Sequence, residues 1–411
     1  MSAGIPQGDS WVHAALDALH RSLDDDRSPI EFHPAAGDAS PLWSIRGDVP
    51  PDQAAAIVRT SGSTGTPKQT RLSAAALESS LRATAQALGG HGQWLLTLQP
   101  SYVAGLAVLS RSLAAGSVPI PLLQDTTDPE RFTEAAQRLT GQRRYVSLVP
   151  TQLQRLLDHV PEHPSLAAVL SRFDVILLGG GPGSPALLES ARGQGLTVVR
   201  TYGMSETCGG CVYEGCPLPG VRLSTEGSGR VRITGPVVAS GYVGDDELTA
   251  AHFSQDAETG MRSFLTDDLG EIRTDAQGQQ LVISGRVDDV INTGGVKVSA
   301  ARVRAALLTH PLVRDAVVGP VPDLEWGQMV GAALLLAPAG AAAGTIEQPQ
   351  LERELKDLVR GALGPPAAPR RLLLLTELPL LSSGKPDRQQ LLHLLAEGPG
   401  REEREDTTWQ H

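Results

Sequence analysis

The sequence has little of what marks secreted or membrane-spanning proteins. Three cysteines in 411 residues cannot build a disulfide framework, which favours a reducing compartment, so we expect a cytoplasmic protein. No uninterrupted apolar run approaches the length that crosses a bilayer, and residues 1–26 have neither a basic start nor an apolar signal core. Neither a secretory signal nor membrane insertion is therefore expected.

Positive charge is also scarce. Lysine and arginine total 35 against 46 aspartates and glutamates, a formal net charge of −11, whereas binding a phosphate backbone needs a basic surface. Nucleic acid is therefore not expected as a partner. What the chain does have is 41% hydrophobic and 20% charged residues, the balance of a soluble globular protein, over a length that predicts two or three domains.

One segment near the N-terminus is rich in hydroxyls and glycine. Backbone N–H groups and hydroxyls of such a loop can wrap a polyphosphate, and a lysine at its end adds a positive charge. A Walker A loop is excluded because Pro67 precedes Lys68 and the Gly-Lys-Ser/Thr ending is absent. Taken alone, the segment is also compatible with a flexible Gly/Ser linker. The candidate phosphate-binding residues are Thr60, Ser61, Gly62, Ser63, Thr64, Gly65 and Lys68.

Short apolar runs alternate with helical stretches over most of the chain. Residues 54–58 read as a buried strand before the phosphate-binding segment and residues 73–88 as a helix after it, while residues 175–178 read as a strand followed by three glycines and a helix over 184–192. Repeated strand–loop–helix units predict an α/β fold with doubly wound sheets whose loops form a cleft. Residues 229–283 have short strands and turns, which predicts a small β subdomain.

Beyond residue 285 the pattern predicts a compact α+β unit. We therefore expect a large N-terminal domain over residues 1–286 and a small C-terminal domain over residues 287–396. Residues 397–411 are polar and charged and are expected to form a tail.

Several segments resemble, in the same order, the motifs of the adenylate-forming superfamily of acyl-CoA synthetases, adenylation domains and luciferases. They are the loop at 60–68, Thr-Tyr-Gly-Met-Ser-Glu-Thr at 201–207, Leu-Thr-Asp-Asp-Leu-Gly at 265–270, Gly-Arg-Val-Asp-Asp-Val-Ile at 285–291 and Leu-Ser-Ser-Gly-Lys-Pro-Asp-Arg at 381–388. Asp267 stands where glycine is usual. The resemblance spans most of the chain. It implies an AMP-forming acid–thiol ligase with a large nucleotide- and acyl-binding domain and a small mobile C-terminal domain.

The resemblance implies a reaction that uses ATP, Mg²⁺ and coenzyme A. A carboxylate is a poor acyl donor, so it is first joined to AMP, which a thiol then displaces. Lys385 resembles the lysine that bridges the acyl carboxylate and the α-phosphate, and Thr207 would offer its hydroxyl to that phosphate. Glu206 would supply a hard oxygen ligand to Mg²⁺ and is the implied metal ligand.

The resemblance also implies a nucleotide pocket. Tyr202 would stack on adenine, and Gly180 and Gly181 would let the backbone reach the purine edge. Asp268 would accept hydrogen bonds from both ribose hydroxyls, and Arg286 would donate to the ribose or to phosphate.

Two further features are implied at the start of the C-terminal domain. Asp288 matches the hinge position, which a single cleft needs when it must perform two half-reactions in turn. Gly294 and Gly295 resemble the turn that lines the pantetheine tunnel, and a plain β-turn also explains this glycine pair.

Within the superfamily, the sequence is most similar to those of the o-succinylbenzoate–CoA ligases of menaquinone synthesis, in a short actinobacterial form. The segments that carry this finer similarity lie at 101–106, 147–153, 178–182 and 205–211. It implies that the acid is a small aromatic dicarboxylic acid. Many relatives have histidine where Ser101 or Tyr102 stands, which is a departure beside the acyl pocket. Arg111 or Arg155 would pair with the ring carboxylate, and both are also compatible with solvated helix positions.

The three cysteines follow a Cys-x₂-Cys-x₄-Cys pattern at Cys208, Cys211 and Cys216. A closed zinc site needs four ligands, and no fourth cysteine or nearby histidine completes the set. We expect small buried thiols behind the active-site loop instead.

The sequence leaves other functions open. One is a different aryl- or acyl-CoA synthetase, and another is a stand-alone adenylation enzyme that loads a carrier protein. A non-catalytic nucleotide-binding protein has no use for the full charge set of Lys68, Glu206, Asp268 and Lys385. A homo-oligomer is compatible with the sequence, which fixes no oligomeric state.

Overall fold

A computed structural model describes residues 10–23, 27–34, 40–60, 68–276, 278–337, 347–381 and 383–397. The chain forms two compact units. The large unit comprises Met1–Ile283 with Ser382–Lys385, and the small unit comprises Ser284–Leu381 with Pro386–His411. The domain limits predicted at residues 286 and 396 stay predictions, and most of the predicted tail lies outside the described residues.

Every helix of the described residues except Asp246–His252 buries apolar side chains. The helices are α1 (Ser10–Ser22), α2 (Ala74–Ala87), α3 (Val103–Ala114), α4 (Pro129–Gln137), α5 (Pro150–His159), α6 (Pro164–Leu170), α7 (Pro185–Gly193), α8 (Asp246–His252), α9 (Ala300–Leu307), α10 (Gln348–Leu363) and α11 (Arg388–Glu397).

The strands are mostly short. They are β1 (Ile30–Phe32), β2 (Trp43–Ile45), β3 (Ala56–Thr60), β4 (Lys68–Leu72), β5 (Gln93–Leu96), β6 (Ile120–Pro121), β7 (Arg144–Leu148), β8 (Val175–Leu178), β9 (Val198–Met204), β10 (Gly209–Tyr213), β11 (Cys216–Pro217), β12 (Arg222–Glu226), β13 (Arg230–Thr234), β14 (Gly241–Tyr242), β15 (Phe253–Gln255), β16 (Arg262–Asp275), β17 (Gly278–Arg286), β18 (Val290–Thr293), β19 (Val296–Ser299), β20 (Val313–Asp323), β21 (Gly327–Leu336) and β22 (Arg371–Leu375).

These strands form four sheets in the described residues. The first has the order β14-β4-β3-β1-β2, and the second, of seven strands, has the order β11-β10-β9-β8-β7-β5-β6. The third is β12-β13-β16-β15 with β17 also paired to β16. The fourth, in the small unit, is β19-β18-β21-β20 with β22 also paired to β21.

The second sheet confirms the predicted doubly wound α/β fold. Its strands β6, β5, β7, β8 and β9 run parallel. Successive residues of β5 point into different cores, because Trp94 and Leu96 belong to one buried cluster and Leu95 to another. Helix α3 supplies Leu106 to the first cluster and helix α5 supplies Leu153 to the second. Both faces of the sheet are therefore covered, as parallel sheets require.

The hairpin formed by β3 and β4 adds a strand that the sequence does not predict. Strand β4 lies between the predicted phosphate-binding segment and the predicted helix, and it pairs antiparallel with β3, with Thr60 opposite Lys68. Strand β4 escapes sequence analysis because its residues are mainly polar and only Thr70 and Leu72 are buried. Helix α2 then follows where residues 73–88 predict it, and Ser73 caps it by accepting from the Ala76 N–H.

The small unit is the predicted α+β unit. Its sheet separates two cores, since neighbouring residues of β20 alternate between them, Val317 in one and Val318 in the other. Helices α9 and α10 cover one face and α11 covers the other, where Leu391 is fully buried. None of the described helices is long and apolar enough to span a membrane.

Glu31 on β1 stabilises the first sheet through ion pairs and hydrogen bonds to side chains of its neighbours. Its side chain is 1% exposed, and its carboxylate accepts from Arg59 Nε at 2.6 Å, from Gln69 Nε2 at 3.0 Å and from Arg46. Burial raises the pKa of Glu31, but hydrogen bonds from Arg59 and Arg46 outweigh it and hold the pKa below its ordinary value. Arg59 and Gln69 are partners on β3 and β4, so this carboxylate fixes both strands that flank residues 61–67.

This network predicts how stability depends on pH. The lowered pKa means that the Glu31 contribution is present above its ordinary value of 4.5 and is lost as the pH falls through the folded-state pKa. We expect Glu31→Gln to lower the free energy of unfolding by about 3 kcal/mol at neutral pH, because Arg46 and Arg59 lose the buried counter-charge that both contact. The difference from wild type should shrink at acidic pH. Urea unfolding across this pH range measures it.

Glu78→Gln is the matched control, since Glu78 pairs with Arg82 on the surface of α2. Its effect should stay below about 1 kcal/mol at every pH. A Glu31→Gln deficit of the same size at neutral and acidic pH would contradict the assigned role of the charge.

Candidate active site

The carboxyl ends of β8 and β9 position five of the predicted site residues, namely Gly180, Gly181, Tyr202, Glu206 and Thr207. In a parallel sheet these ends meet at one edge, where ligands bind. Strand β8 ends at Leu178 and is followed by Gly180 and Gly181, and β9 itself contains Tyr202 and is followed by a short 3₁₀ turn, Ser205–Thr207. The structure therefore brings these predicted residues to one edge of the sheet.

Tyr202 and Asp268 form a direct pair. The Tyr202 hydroxyl donates to Asp268 Oδ2 at 2.6 Å, although the two residues are 66 positions apart. Burial raises the pKa of Tyr202 above its ordinary value, and the neighbouring Asp268 carboxylate raises it further. The tyrosine therefore stays a neutral donor, which orients the carboxylate predicted to bind ribose without cancelling its charge.

Asp267, which departs from the family pattern, has a partner of its own. Arg230 on β13 donates to Asp267 Oδ1 at 3.0 Å, and the Arg230 Nε donates to the Thr266 carbonyl at 2.9 Å. These contacts fix the backbone immediately before Asp268. The aspartate in place of glycine thus adds an ion pair between β16 and its neighbour β13 in the third sheet.

Glu206, the predicted metal ligand, lies in the turn Ser205–Thr207 and is 8% exposed. Its Oε1 accepts from the Tyr242 hydroxyl at 2.8 Å, and its backbone carbonyl accepts from the Ala239 N–H at 2.9 Å. Among the described residues no donor is bonded to its second carboxylate oxygen. That oxygen fits a hard cation such as Mg²⁺, which takes one or two protein carboxylates and completes its shell with water and phosphate.

The hydroxyl of Thr207, which is predicted to contact the α-phosphate, is bonded to backbone groups instead. It is 0% exposed, and its hydroxyl donates to the Gly209 carbonyl at 2.8 Å while accepting from the Met204 N–H at 3.0 Å. These bonds shape the turn that carries Glu206. The α-phosphate contact stays a prediction, and it requires this hydroxyl to leave its backbone partners.

Two of the three cysteines are the buried thiols that the sequence predicts, and the third is not. Cys208 and Cys211 are buried and free, whereas Cys216 is free and exposed. Burial raises the pKa of Cys211 to about 12 and that of Cys208 further still. In the described part of the chain no group of three or more His, Cys, Asp or Glu side chains is arranged to hold a metal ion. Cys208 adopts a left-handed conformation with φ 52°, which closes the turn after Thr207.

Only the ends of the predicted phosphate-binding segment can be placed. Thr60 ends β3 and Lys68 begins β4, and the Lys68 Nζ lies 5.6 Å from the centroid of the Tyr242 ring. Ser61, Gly62, Ser63, Thr64 and Gly65 lie outside the described residues. Lys68 and Glu206 thus share contacts with one side chain, Tyr242.

Lys385 lies beside the glycine loop after β8. A Cβ atom at Gly180, which has φ 80°, would lie 2.7 Å from Lys385 Cε and 3.4 Å from its Nζ. The neighbouring Gly384 carbonyl accepts a hydrogen bond from the Thr151 hydroxyl on α5. Lys385 is exposed, and desolvation by the protein atoms around its amine lowers its pKa.

The remaining predicted residues belong to the small unit. Arg286 donates through Nε and Nη2 to both oxygens of Asp288, at 2.8 and 3.0 Å. Gly294 and Gly295 have φ 57° and 83° and join β18 to β19. A Cβ at Gly294 would lie 2.3 Å from the Trp326 ring, so glycine is required there, whereas nothing lies within 4 Å of a Cβ at Gly295.

The two candidate arginines for the acid differ in environment. Arg155 is exposed on α5. Arg111 on α3 is 6% exposed, donates to Thr84 Oγ1 at 3.2 Å and lies 5.1 Å from the Trp94 ring centroid. Its Nε is buried and has no hydrogen-bond partner among the described residues. Arg111 is therefore a buried cation with spare donor capacity.

Sequence reasoning missed Tyr242 and Arg230. Both act through partners more than 30 positions away along the chain, at Glu206 and Asp267. Nothing local distinguishes them, because tyrosine in a short strand and arginine in a β-hairpin are ordinary surface or core residues.

The chain belongs to the AMP-binding enzyme family. It matches the family of AMP-binding enzymes over residues 14–243 and the AMP-binding enzyme C-terminal domain over residues 303–385. These matches confirm the predicted adenylate-forming, AMP-producing class of enzyme.

Named relatives share most of the chain. A protein of Mycobacterium tuberculosis named "Probable 2-succinylbenzoate--CoA ligase" is 43% identical over 394 residues, which cover 95% of this chain and 97% of the relative. The 2-succinylbenzoate--CoA ligase of Geobacillus kaustophilus is 30% identical, over 94% of this chain and 79% of the relative.

Solved structures share the fold. The o-succinylbenzoate CoA synthetase of Bacillus subtilis, in complex with its acyl-adenylate intermediate, is similar with a TM-score of 0.65 and 27% identity over 87% of this chain and 72% of that one. The same enzyme has been solved with ATP and magnesium ion, with a TM-score of 0.64 to this chain. An amide bond synthetase of Marinactinospora thermotolerans has a TM-score of 0.67 and 27% identity over 84% of this chain and 70% of that one.

The glycine loop generates a prediction. Gly180→Ala places a Cβ 2.7 Å from Lys385 Cε and forces a non-glycine residue to φ 80°, so we expect acid-dependent ATP–pyrophosphate exchange to fall at least about 10-fold. Gly193→Ala, at the end of α7, is the matched control, because a Cβ there meets nothing within 4 Å, and it should stay within about 2-fold of wild type. Equal rates for the two variants would show that the Lys385 side chain does not need the space above Gly180.

Proposed function

We propose that this enzyme is an ATP-dependent 2-succinylbenzoate–CoA ligase of menaquinone biosynthesis. The observation that carries the proposal is the 43% identity to a named relative across nearly the full length of both chains. The three free cysteines and the soluble composition support a cytoplasmic location.

The reaction would proceed in two displacements. A carboxylate oxygen of the acid attacks the α-phosphorus of ATP, the bond to the β-phosphate oxygen breaks, and pyrophosphate leaves. The sulfur of coenzyme A, as the thiolate, then attacks the acyl carbon, and AMP leaves with the former carboxylate oxygen. Both steps need charge stabilisation and placement more than covalent help from the protein.

Lys385 is proposed to stabilise the first transition state. Its amine lies at the loop after β8, where the lowered pKa reflects partial desolvation. A charge in such surroundings acts more strongly on a developing negative charge than one in open water. Removing one such contact typically slows a step by two to three decades.

Glu206 is proposed to hold Mg²⁺, and the residues present fit that ion. One buried carboxylate with a free oxygen meets the demand of a cation that otherwise binds water and substrate phosphates. Once bound, Mg²⁺ would neutralise part of the phosphate charge. Lys68 and the hydroxyl-rich segment from Thr60 onwards are proposed to bind the leaving pyrophosphate, and Thr207 the α-phosphate.

The nucleotide would lie along the strand ends. Tyr202 is proposed to stack on adenine while its hydroxyl keeps Asp268 oriented towards the ribose. Gly180 and Gly181 would admit the purine edge, since neither carries a side chain. Arg286 would have to leave Asp288 to reach a ribose or phosphate oxygen.

The small unit is proposed to serve the second displacement. Asp288 would be the hinge residue, and its ion pair with Arg286 is a contact that can be exchanged when the joint rotates. Gly294 and Gly295 would line the path of the pantetheine arm. The absence of side chains at this turn and the adjacent Trp326 ring suit a narrow, partly apolar passage.

The distal carboxylate of the acid is proposed to pair with Arg111. A buried carboxylate without a partner is strongly unfavourable, so the acyl pocket must supply a donor. Arg111 is buried, its contacts with Thr84 and Trp94 carry no negative charge, and its Nε is unbonded among the described residues. Arg155 lacks this burial.

A second candidate is an enzyme that passes the acyl-adenylate to an amine or a carrier protein instead of coenzyme A. The structural similarity to an amide bond synthetase supports this second candidate. Pyrophosphate release measured with a panel of acids, with coenzyme A, an amine or neither as acceptor, separates the two, because only the ligase forms a CoA thioester.

The proposed acid site makes a specific prediction. The substrates are 2-succinylbenzoate and 4-oxo-4-phenylbutyrate, which lacks the ring carboxylate. Wild type should prefer the first by at least about 10-fold in kcat/KM, since a charged hydrogen bond contributes about 1.5–3 kcal/mol. Arg111→Met should remove most of that preference and leave 4-oxo-4-phenylbutyrate nearly unaffected.

Arg155→Met is the control and should keep the preference of wild type, because Arg155 is exposed. Thermal unfolding with and without ATP shows whether the Arg111 variant is folded. If a folded Arg111→Met variant lost kcat/KM by the same factor for both acids, Arg111 would not be the residue that binds the ring carboxylate. If wild type prefers 4-oxo-4-phenylbutyrate or benzoate, the substrate proposal itself fails.

A further inference from the structure

Tyr242 occupies a position between two of the proposed site residues. It lies on β14, at the edge of the first sheet, and is 2% exposed. On the neighbouring strand Thr70 is its direct partner, and Lys68 lies two residues before Thr70. Residues two apart on a strand point to the same face, so Lys68 and Tyr242 share one face of the sheet.

The hydroxyl and the ring of Tyr242 have different partners. The hydroxyl donates to Glu206 Oε1 at 2.8 Å. The ring lies beneath the Lys68 amine, which is 5.6 Å from its centroid, within the range of a cation–π contact. One side chain thus contacts both the proposed metal ligand and the proposed phosphate-binding lysine.

The ring of Tyr242 is held from several directions. Phe253 packs edge-on against it at 5.4 Å between centroids, and the Tyr242 N–H donates to Thr249 Oγ1 at 2.9 Å. The next residue, Val243, donates its N–H to the Gln69 carbonyl on β4 at 2.9 Å. Such contacts fix the hydroxyl in space before any ligand binds.

The hydroxyl also suits its partner chemically. A tyrosine hydroxyl is a neutral donor, and it lies 2.8 Å from Glu206 Oε1. A neutral donor orients one carboxylate oxygen without neutralising the carboxylate. An arginine or lysine at this place would compete with a cation for the charge.

We propose that Tyr242 is a positioning residue for the first half-reaction. Its hydroxyl turns Glu206 so that the other carboxylate oxygen faces Mg²⁺, and its ring holds the Lys68 amine near the phosphates. The proposal rests on the proposed function, which places ATP and Mg²⁺ in this site.

Two variants separate the hydroxyl from the ring. Tyr242→Phe removes only the hydrogen bond to Glu206, and Tyr242→Leu removes the ring contact with Lys68 as well. Tyr145→Phe is the matched control, because the hydroxyl of this buried tyrosine is bonded to the carbonyls of Leu88 and Gly90 and not to Glu206. Calorimetric titration with ATP, with and without Mg²⁺, measures binding without depending on turnover.

Tyr242→Phe should weaken binding of ATP in the presence of Mg²⁺ by about 10-fold and raise the Mg²⁺ concentration that half-saturates pyrophosphate exchange by a similar factor. Its affinity for ATP without Mg²⁺ should change by less than about 2-fold. Tyr242→Leu should weaken both, because Lys68 loses its support. Tyr145→Phe should match wild type in every measurement.

The proposal would be overturned if ATP binding by Tyr242→Phe depended on Mg²⁺ in the same way as it does in wild type and in Tyr145→Phe. It would also be overturned if Tyr242→Phe lost the same factor of ATP affinity with and without Mg²⁺. Rejection of 2-succinylbenzoate by the wild-type enzyme, with Mg²⁺-dependent ATP binding intact, would instead count against the proposed substrate. Thermal unfolding of each variant confirms that the compared proteins are folded.

Discussion

The site depends on carboxylates that are buried, oriented and still available to a ligand. Asp268 and Glu206 are each 8% exposed, and each accepts a hydrogen bond from a tyrosine hydroxyl, of Tyr202 and Tyr242 respectively. A neutral donor fixes such a carboxylate while leaving its negative charge for a cation or a pair of ribose hydroxyls. Asp267, one position earlier, is paired with the charged side chain of Arg230 instead. No ligand is expected at Asp267, so its negative charge does not have to stay available.

The first sheet meets a second constraint, which is to hold two strands firmly at the base of the phosphate-binding segment. Glu31 does so with a buried carboxylate that binds side chains from β3 and β4. Here the carboxylate is saturated by arginine and amide donors, in contrast to Glu206. The Glu31 carboxylate is paired with several donors and serves structure, whereas the Glu206 carboxylate has one donor among the described residues and is proposed to bind a ligand.

Much of the fold follows from local pattern. Strand β8 coincides with the predicted 175–178 because four apolar residues stand between a charged residue and three glycines. Helices α2 and α7 begin after serine caps that the sequence displays, at Ser73 and Ser184. The sequence does not predict strand β4, because its residues are mainly polar and its pairing with β3 and β14 is visible only in three dimensions.

The site was less predictable where partners are distant in sequence. Tyr242 finds Glu206 and Arg230 finds Asp267 only through the pairing of sheets, so no spacing rule identifies them. Arg111 and Arg155 look alike in sequence. The structure separates them because α3 is buried over most of its length, from Gly105 to Ser112, whereas α5 has one exposed face that includes Arg155.

In the proposed reaction, a carboxylate oxygen of 2-succinylbenzoate attacks the α-phosphorus of ATP and later leaves with AMP. Isotope transfer tests this directly. With both carboxylates of the acid labelled with ¹⁸O, mass spectrometry of the products should find one ¹⁸O atom in each AMP formed and none in pyrophosphate. Label in pyrophosphate or inorganic phosphate, or formation of ADP in place of AMP, would contradict the account.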